Sequence, residues 1–453
     1  MDTVNLGRIF VINLFILIVI SANNISFSQD FDANNTSSFM DAIAKINAAP
    51  EASHKIFITG DISLETPISE AVNLELIGDT TSSEHYNFVL NGNTFTYREN
   101  KISKISDLNI VSNTSGSGFI VNQQDLTIDN ANFTSSAASN TQSSLNNIGG
   151  NLQISESNFT GNKKGMDGGA ISNQGNLETV STDFISNQGR NGGALYLSSG
   201  TANIKEADIL NNYASTYGGA AYVNNSTLTI TDSTVKDNSA MVSGGALYIE
   251  ANSNVVIDNT DFDHNTVLQQ SGGGAIYNKG NLEIKNGSSF TNNSIAGGTG
   301  GAITGSGKLT ITNSIFNNNR STGSIAGAII NDSLEIENSI FNGNSAYSFG
   351  GAIVSSNALI KDSTFLNNES ETSSGGAVVN LYGNIDFSGV SKFENNIAGD
   401  SGGAIYATME STTNITGPVQ FLNNKAKNGR GGAILAQGTF NINADDPLAP
   451  VVF

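Results

Sequence analysis

Short stretches in which apolar and polar residues alternate recur along most of the chain, as in Leu228 to Ile230, Leu282 to Ile284, Leu309 to Ile311 and Leu334 to Ile336. Each is a few residues long with period two, the pattern of a strand with one buried face. Polar turns rich in Asn, Gly and Ser, such as Asn278 to Asn281, separate them. Helical spacing stands out near the start, where Phe39, Ala42, Ile43 and Ile46 follow a stretch, Ser38 to Asp41, that looks like a capping box. This predicts a short amphipathic helix that covers the first strands.

The strands belong to a repeat. Gly-Gly-Ala recurs at Gly168-Gly169, Gly192-Gly193, Gly218-Gly219, Gly244-Gly245, Gly273-Gly274, Gly300-Gly301, Gly350-Gly351, Gly375-Gly376, Gly402-Gly403 and Gly431-Gly432, with a degenerate copy at Ala326 to Ala328. The step is about 26 residues. Ahead of each copy stands Phe-x-x-Asn: Phe159 with Asn162, Phe184 with Asn187, Phe262 with Asn265, Phe290 with Asn293, Phe316 with Asn319, Phe341 with Asn344, Phe365 with Asn368, Phe393 with Asn396 and Phe421 with Asn424. Ile209 with Asn212 and Val235 with Asn238 are aliphatic variants.

A repeat of this length with strand-sized apolar patches reads as one three-strand coil of a solenoid. One coil cannot bury its own inward side chains, whereas stacked coils satisfy the backbone between rungs and build a continuous core. The expected fold is therefore all-β: a right-handed, single-stranded parallel β-helix of the pectin-lyase-like type with a short N-terminal capping helix. Stacking should put the Phe rings in one internal column and the Asn amides in a ladder at a bend. The glycine pair should allow positive φ or close backbone approach at a corner. The residue after Ala, as in Leu195, Leu247, Ile276, Ile303, Ile353, Val378, Ile405 and Ile434, should point inward. Crowding at that corner would account for the constant Ala.

Outside the repeat the pattern weakens. A largely apolar run, Ile9 to Ile20, follows Arg8 and precedes small residues at Ser26 and Ser28, which reads as a signal peptide over 1–28. It is too short for a spanning helix. Residues 29–148 should hold the helix and three or four degenerate rungs, including Ile56 to Ile58, Leu74 to Leu76 and Leu126 to Ile128. Thr134 to Gly150 reads as an exposed loop. Regular β-helix should occupy 149–443, and 444–453 a short tail. Thr439 to Ile442 begins a further rung that is not completed, so either the protein continues past Phe453 or the tail folds back as a cap.

With both motifs laid out, Gly-Gly-Ala-(Ile/Leu/Val) alternating with Phe-x-x-Asn resembles the repeat of the chlamydial polymorphic membrane proteins. The resemblance covers residues 159–434. It implies an autotransporter plan, with a signal peptide, a β-helical passenger outside the cell and a C-terminal barrel in the outer membrane. It also implies an adhesin role in which both motifs are implicated. The expected location is then secreted, extracellular or at the outer-membrane surface, and the expected partner a receptor or glycan on a host or neighbouring cell. The strands of a barrel are not evident in this sequence.

Composition removes some classes. With 40 acidic and 20 basic residues the formal charge is -20, which disfavours nucleic acid and anionic membranes. The absence of cysteine rules out disulfides and thiolate chemistry. No cofactor or metal is expected. Asp258, Asp261 and Asp263 lie close together but lack the alternating Gly-Asp pattern of Ca²⁺-binding repeats.

The runner-up function is a polysaccharide lyase or hydrolase on the same fold. A lyase would want clustered carboxylates and a basic residue, yet Arg190, Arg320 and Arg430 fall in corresponding loops of well-separated rungs. Asn259 to Asp261 resembles one fragment of a polygalacturonase signature but occupies an ordinary position of the repeat. His54, His85 and His264 read as solvated residues rather than bases. Asn428 to Arg430 resembles a short integrin-type motif. The reading is a non-catalytic adhesin-like protein, with the longest loop, Thr266 to Gly272, as the first candidate for specific contact.

Overall fold

In the computed structural model, residues 30–48, 53–71, 74–78, 85–97, 103–112, 119–135, 143–163, 165–269, 271–443 and 451–452 are described. The expected signal peptide lies outside them. The chain forms a right-handed parallel β-solenoid of about 14 turns with one short helix near its N-terminus. All strand pairings are parallel, and partners lie one rung apart in sequence, as in Leu282↔Leu309 and Phe290↔Phe316.

Most regular rungs have four strand segments rather than three, the first two being fused into one strand at Ile303–Thr312 and Ile329–Glu337. The strand after Gly-Gly-Ala, for example Ile276–Asn278, and the alternating strand after it, Asn281–Lys285, are separated by a tight bend but belong to one 30-stranded sheet. The Phe strand, Ser289–Thr291, lies in a 15-stranded sheet. Two residues after the Asn, Ser294–Ile295, form a narrow 10-stranded sheet. The additional bend escaped the sequence pattern because both flanking strands are short and carry inward residues on either side of it.

Corners share one device. The residue before each ladder Asn adopts a left-handed conformation, as at Asn292 (φ 55°) and Asn318 (φ 53°). So does the residue before the buried hydroxyl at the preceding corner, as at Asp232 (φ 51°) and Asn259 (φ 44°). Asn and Asp tolerate this region better than other side chains, so the Asn-rich turns of the sequence set the bends of the coil.

The helix, Thr36–Asn47, buries Phe39, Ala42, Ile43 and Ile46 as expected. It begins earlier than Ser38: Asn35 is the N-cap and Ser38 is the reciprocal member of the capping box. The Phe39 ring meets Phe88 edge-on at 5.3 Å, which seals the first rungs. The stretch read as an exposed loop is partly structured, since Leu145–Asn147 is a strand paired with Ile171–Asn173, with Leu145 and Asn147 buried. At the far end Thr439–Asn443 pairs with the preceding rung. Beyond it, Val452 bridges to Gln420, its carbonyl accepting from Phe421 N at 2.7 Å.

Candidate functional surface

The motif residues form the inside of the coil. From Phe262 to Phe421 the rings stack without a break, with centroids 4.8–5.0 Å apart. An earlier stack joins Phe133, Phe159 and Phe184, and Ile209 and Val235 bridge the two. The Asn ladder does not break where the Phe column does. From Asn162 to Asn424, each Nδ2 donates to the Oδ1 of the next Asn, at 2.8–3.1 Å. In a central rung, Asn319 Nδ2 also donates to the Phe290 carbonyl, and its Oδ1 accepts from both the backbone N and the Nδ2 of Asn293. Every acceptor and donor of the buried amide is thereby used.

The glycine pair divides its work. The first Gly has φ between 63° and 72° in every Gly-Gly-Ala copy, and Ala326 takes the same conformation at 61°. A Cβ on the second Gly would collide with the carbonyl oxygen of the second Gly one rung on, as Gly301 with Gly327 and Gly351 with Gly376. The following Ala and aliphatic residue are both buried in nearly every rung, as Ala275 with Ile276 and Ala302 with Ile303. Two consecutive inward residues leave room only for a methyl at the first, which accounts for the constant Ala.

Two further internal columns were missed. Hydroxyls of Ser233, Thr260, Ser288, Ser314, Ser339 and Ser363 are buried before the Phe strand, with the Ser339 N–H donating to Ser363 Oγ at 3.2 Å. Thr260 of the polygalacturonase-like fragment belongs to this column. A second Asn row, Asn122, Asn147 and Asn173, lies at the bend within the large sheet, with Nδ2–Oδ1 distances of 2.8 and 2.6 Å. Leu197, Val223 and Ile249 then replace it by apolar residues in the same register.

The residues considered for catalysis are dispersed, and most of them are paired. Arg190 makes a two-point contact with Asp167 (3.0 and 2.9 Å), and Arg320 reaches Glu371 at 2.8 Å two rungs on. Asp258 accepts from Asn286, and Asp261 from Ser289. Asp263 accepts from His264 at 2.6 Å and Lys236 at 2.9 Å. Burial alone would raise the Asp263 carboxyl, but the bonds from Lys236, His264 and Asn292 outweigh it and hold the group below its ordinary value. His264 is exposed, whereas His54 is buried in the first rungs, near Phe31, contrary to the solvated reading. Among the described residues no group of acidic and His side chains could hold a metal ion. Asn428 and Arg430 are tied to the preceding rung by bonds to Gly399 O and Ser401 Oγ. In the candidate contact loop, Thr266–Val267 is taken up by the narrow sheet, which leaves Leu268 and Gln269 exposed.

Two outer features remain. Tyr196, Tyr222, Tyr248 and Tyr277 stack in register on the large sheet, with centroids 5.1–5.4 Å apart. Lys279 sits over the last two rings. Tyr222 donates to Glu250 at 2.9 Å, and burial followed by this bond raises its phenol well above the ordinary value. The sequence carried the signal, one Tyr between two inward residues in four successive rungs.

The second feature is a shallow groove of about 370 Å³ on the alternating strands of the large sheet. One edge is a zipped row: Asn151 donates to Asp125 (2.6 Å), Asn176 to Asn151 (2.8 Å) and Thr201 to Asn176 (2.9 Å). Outside the lining, Asp129 accepts from Ser155 at 2.8 Å and from Lys104 at 3.3 Å. Beside the zipped row the groove is lined by Thr127, Gln153 and Glu178, whose side chains have no partner among the described residues.

Stacked parallel coils, inward Phe and Asn columns and left-handed corners define the class: a right-handed parallel β-helix. In agreement, the model of the right handed beta helix region matches residues 219–389. The Chlamydia polymorphic membrane protein repeat matches residues 391–408 and 418–437, so the chain carries the chlamydial-type polymorphic membrane protein repeat. That family is associated with the outer-membrane surface, and a surface-exposed place for this chain is consistent with it. No curated protein and no solved structure matches the chain.

Proposed function

We propose that this protein is a surface-exposed, autotransporter-like passenger that attaches its cell to a host cell, a neighbouring cell or matrix and has no catalytic activity of its own. The observation that carries this reading is the division between inside and outside. The repeated motifs are spent on stacking, which leaves a long, rigid body whose outer rows are free to vary rung by rung. The ion pairs of Arg190 and Arg320, on rungs far apart, support the non-catalytic part. Because Phe and Asn of the motif are buried, their role in attachment is to hold the surface in place rather than to touch a partner.

Purified mature protein should compete with whole cells for attachment to cultured host cells and to matrix-coated surfaces. Absence of competition across several cell types and matrices rejects the reading. Release of unsaturated or reducing ends from pectin-like substrates would instead establish the enzymatic alternative.

A further inference from the structure

We propose that the groove over Thr127, Gln153 and Glu178 is a binding site for a linear, neutral glycan laid along the solenoid axis. The inference rests on the attachment reading and names the class of its partner. Three observations lead to it.

The first is dimension. The groove crosses successive rungs, which rise by roughly 4.8 Å each, close to the advance of one sugar ring in an extended chain. Each rung would therefore face about one ring.

The second is the pattern of engaged and unengaged groups. The row from Asp125 to Thr201 is hydrogen-bonded from rung to rung, so its side chains are held before any ligand arrives. The central hydroxyl, amide and carboxylate have no partner among the described residues. A fixed edge beside unspent donors and acceptors suits vicinal sugar hydroxyls, which both donate and accept.

The third is charge. Asp125 and Glu178 contribute the ionisable groups of the lining, with no basic residue among them, and the whole chain carries -20. A polyanionic glycan would be repelled, whereas hydroxyl groups can donate to these carboxylates. A similar groove further along argues by contrast. Around Glu283, Lys308 and Glu335 the corresponding groups are already joined in Lys285–Glu283 and Lys308–Glu335 ion pairs, at 3.1 and 3.4 Å.

The test uses the full mature chain on an array of neutral hexose and N-acetylhexosamine oligosaccharides of increasing length, with sulfated glycans and a cationic peptide as further probes. Binding of a neutral oligosaccharide is expected, strengthening with length until the groove is filled and then levelling. The double variant Gln153→Ala/Glu178→Ala changes exposed side chains and should fold normally by circular dichroism, while weakening that binding by about tenfold or more. The proposal is overturned by no neutral-glycan binding, by unchanged affinity in the double variant, or by preference for the sulfated or peptide probes. The same proteins in the attachment assay separate the two levels. Attachment by wild type that the double variant retains removes the groove and leaves the attachment reading standing, whereas no attachment by wild type removes that reading itself.

Discussion

The rungs before Phe159 and those after it use the same large sheet and the same Phe sheet, but among the described residues the narrow third sheet is found only in the later ones. Before Phe159 the Phe-sheet strands begin at Ile62, Asn87, Asn109 and Asn132 and carry Ile62, Phe88, Ile110 and Phe133 inward. The third sheet begins where the Asn ladder begins: Lys163, next to Asn162, bridges to Gln188, the first residue of the first strand of that sheet. Inward apolar residues are thus enough to stack two faces of the coil. Where the third face is described it accompanies a buried amide that fixes the bend and supplies the neighbouring backbone with partners.

The sharpest way to break this comparison is to remove one rung of the ladder. Asn319→Ala deletes two donated bonds and strands the Asn293 N–H, its amide and the Phe290 carbonyl, so it should cost about 3–6 kcal/mol in chemical denaturation. In the irregular part, Asn132→Ala loses two half-buried outer bonds, one donated to Asn109 and one accepted from Asn158, and should cost about 1–2 kcal/mol. Equal costs would mean that the ladder adds nothing particular to the regular rungs.

Phe316→Ala should cost about 3–5 kcal/mol through lost burial and a residual cavity. Phe316→Leu should cost much less, because Ile209 and Val235 already occupy the column. Gly301→Ala drives a Cβ into the Gly327 carbonyl and should cost about 2 kcal/mol or more. Gly149→Ala meets nothing within 4 Å and bears only the strain of φ +83°, about 1 kcal/mol. At the capped end Asn35→Ala breaks the capping box and should cost about 1 kcal/mol.

The smallest effect is electrostatic. Because the folded Asp263 carboxyl lies below its ordinary value, its contribution is present above the unfolded value and is lost as pH falls through the folded one. Asp263→Asn should therefore flatten the acid limb of a stability-against-pH curve slightly, and an unchanged limb would remove this ion pair from the account.

The same contrast explains what could be read from the sequence. The repeat, the inward Phe column and the Asn ladder were legible because Gly-Gly-Ala and Phe-x-x-Asn alternate in a constant order, with the Asn always three residues after the Phe position. The Ser/Thr column from Ser233 to Ser363 was not, since small hydroxyl residues are common throughout this chain and carry no hydrophobic periodicity. The second Asn row was hidden by its replacement with Leu197, Val223 and Ile249. Burial of His54 and the strand at Leu145–Asn147 depend on pairing between rungs of irregular spacing, which local pattern does not encode. The groove was invisible because it is a relation among outward residues of four rungs, Asp125, Gln153, Glu178 and Thr201, that share no motif.

The central claim is that the repeated motifs build the body and the outer rows make the contact. It is tested most directly by measuring attachment per folded molecule for wild type, for Asn319→Ala and for Phe316→Leu, with the folded fraction taken from the denaturation curve of each. The account predicts equal attachment once the values are normalised to folded protein. Loss of attachment by a fully folded motif variant would contradict it.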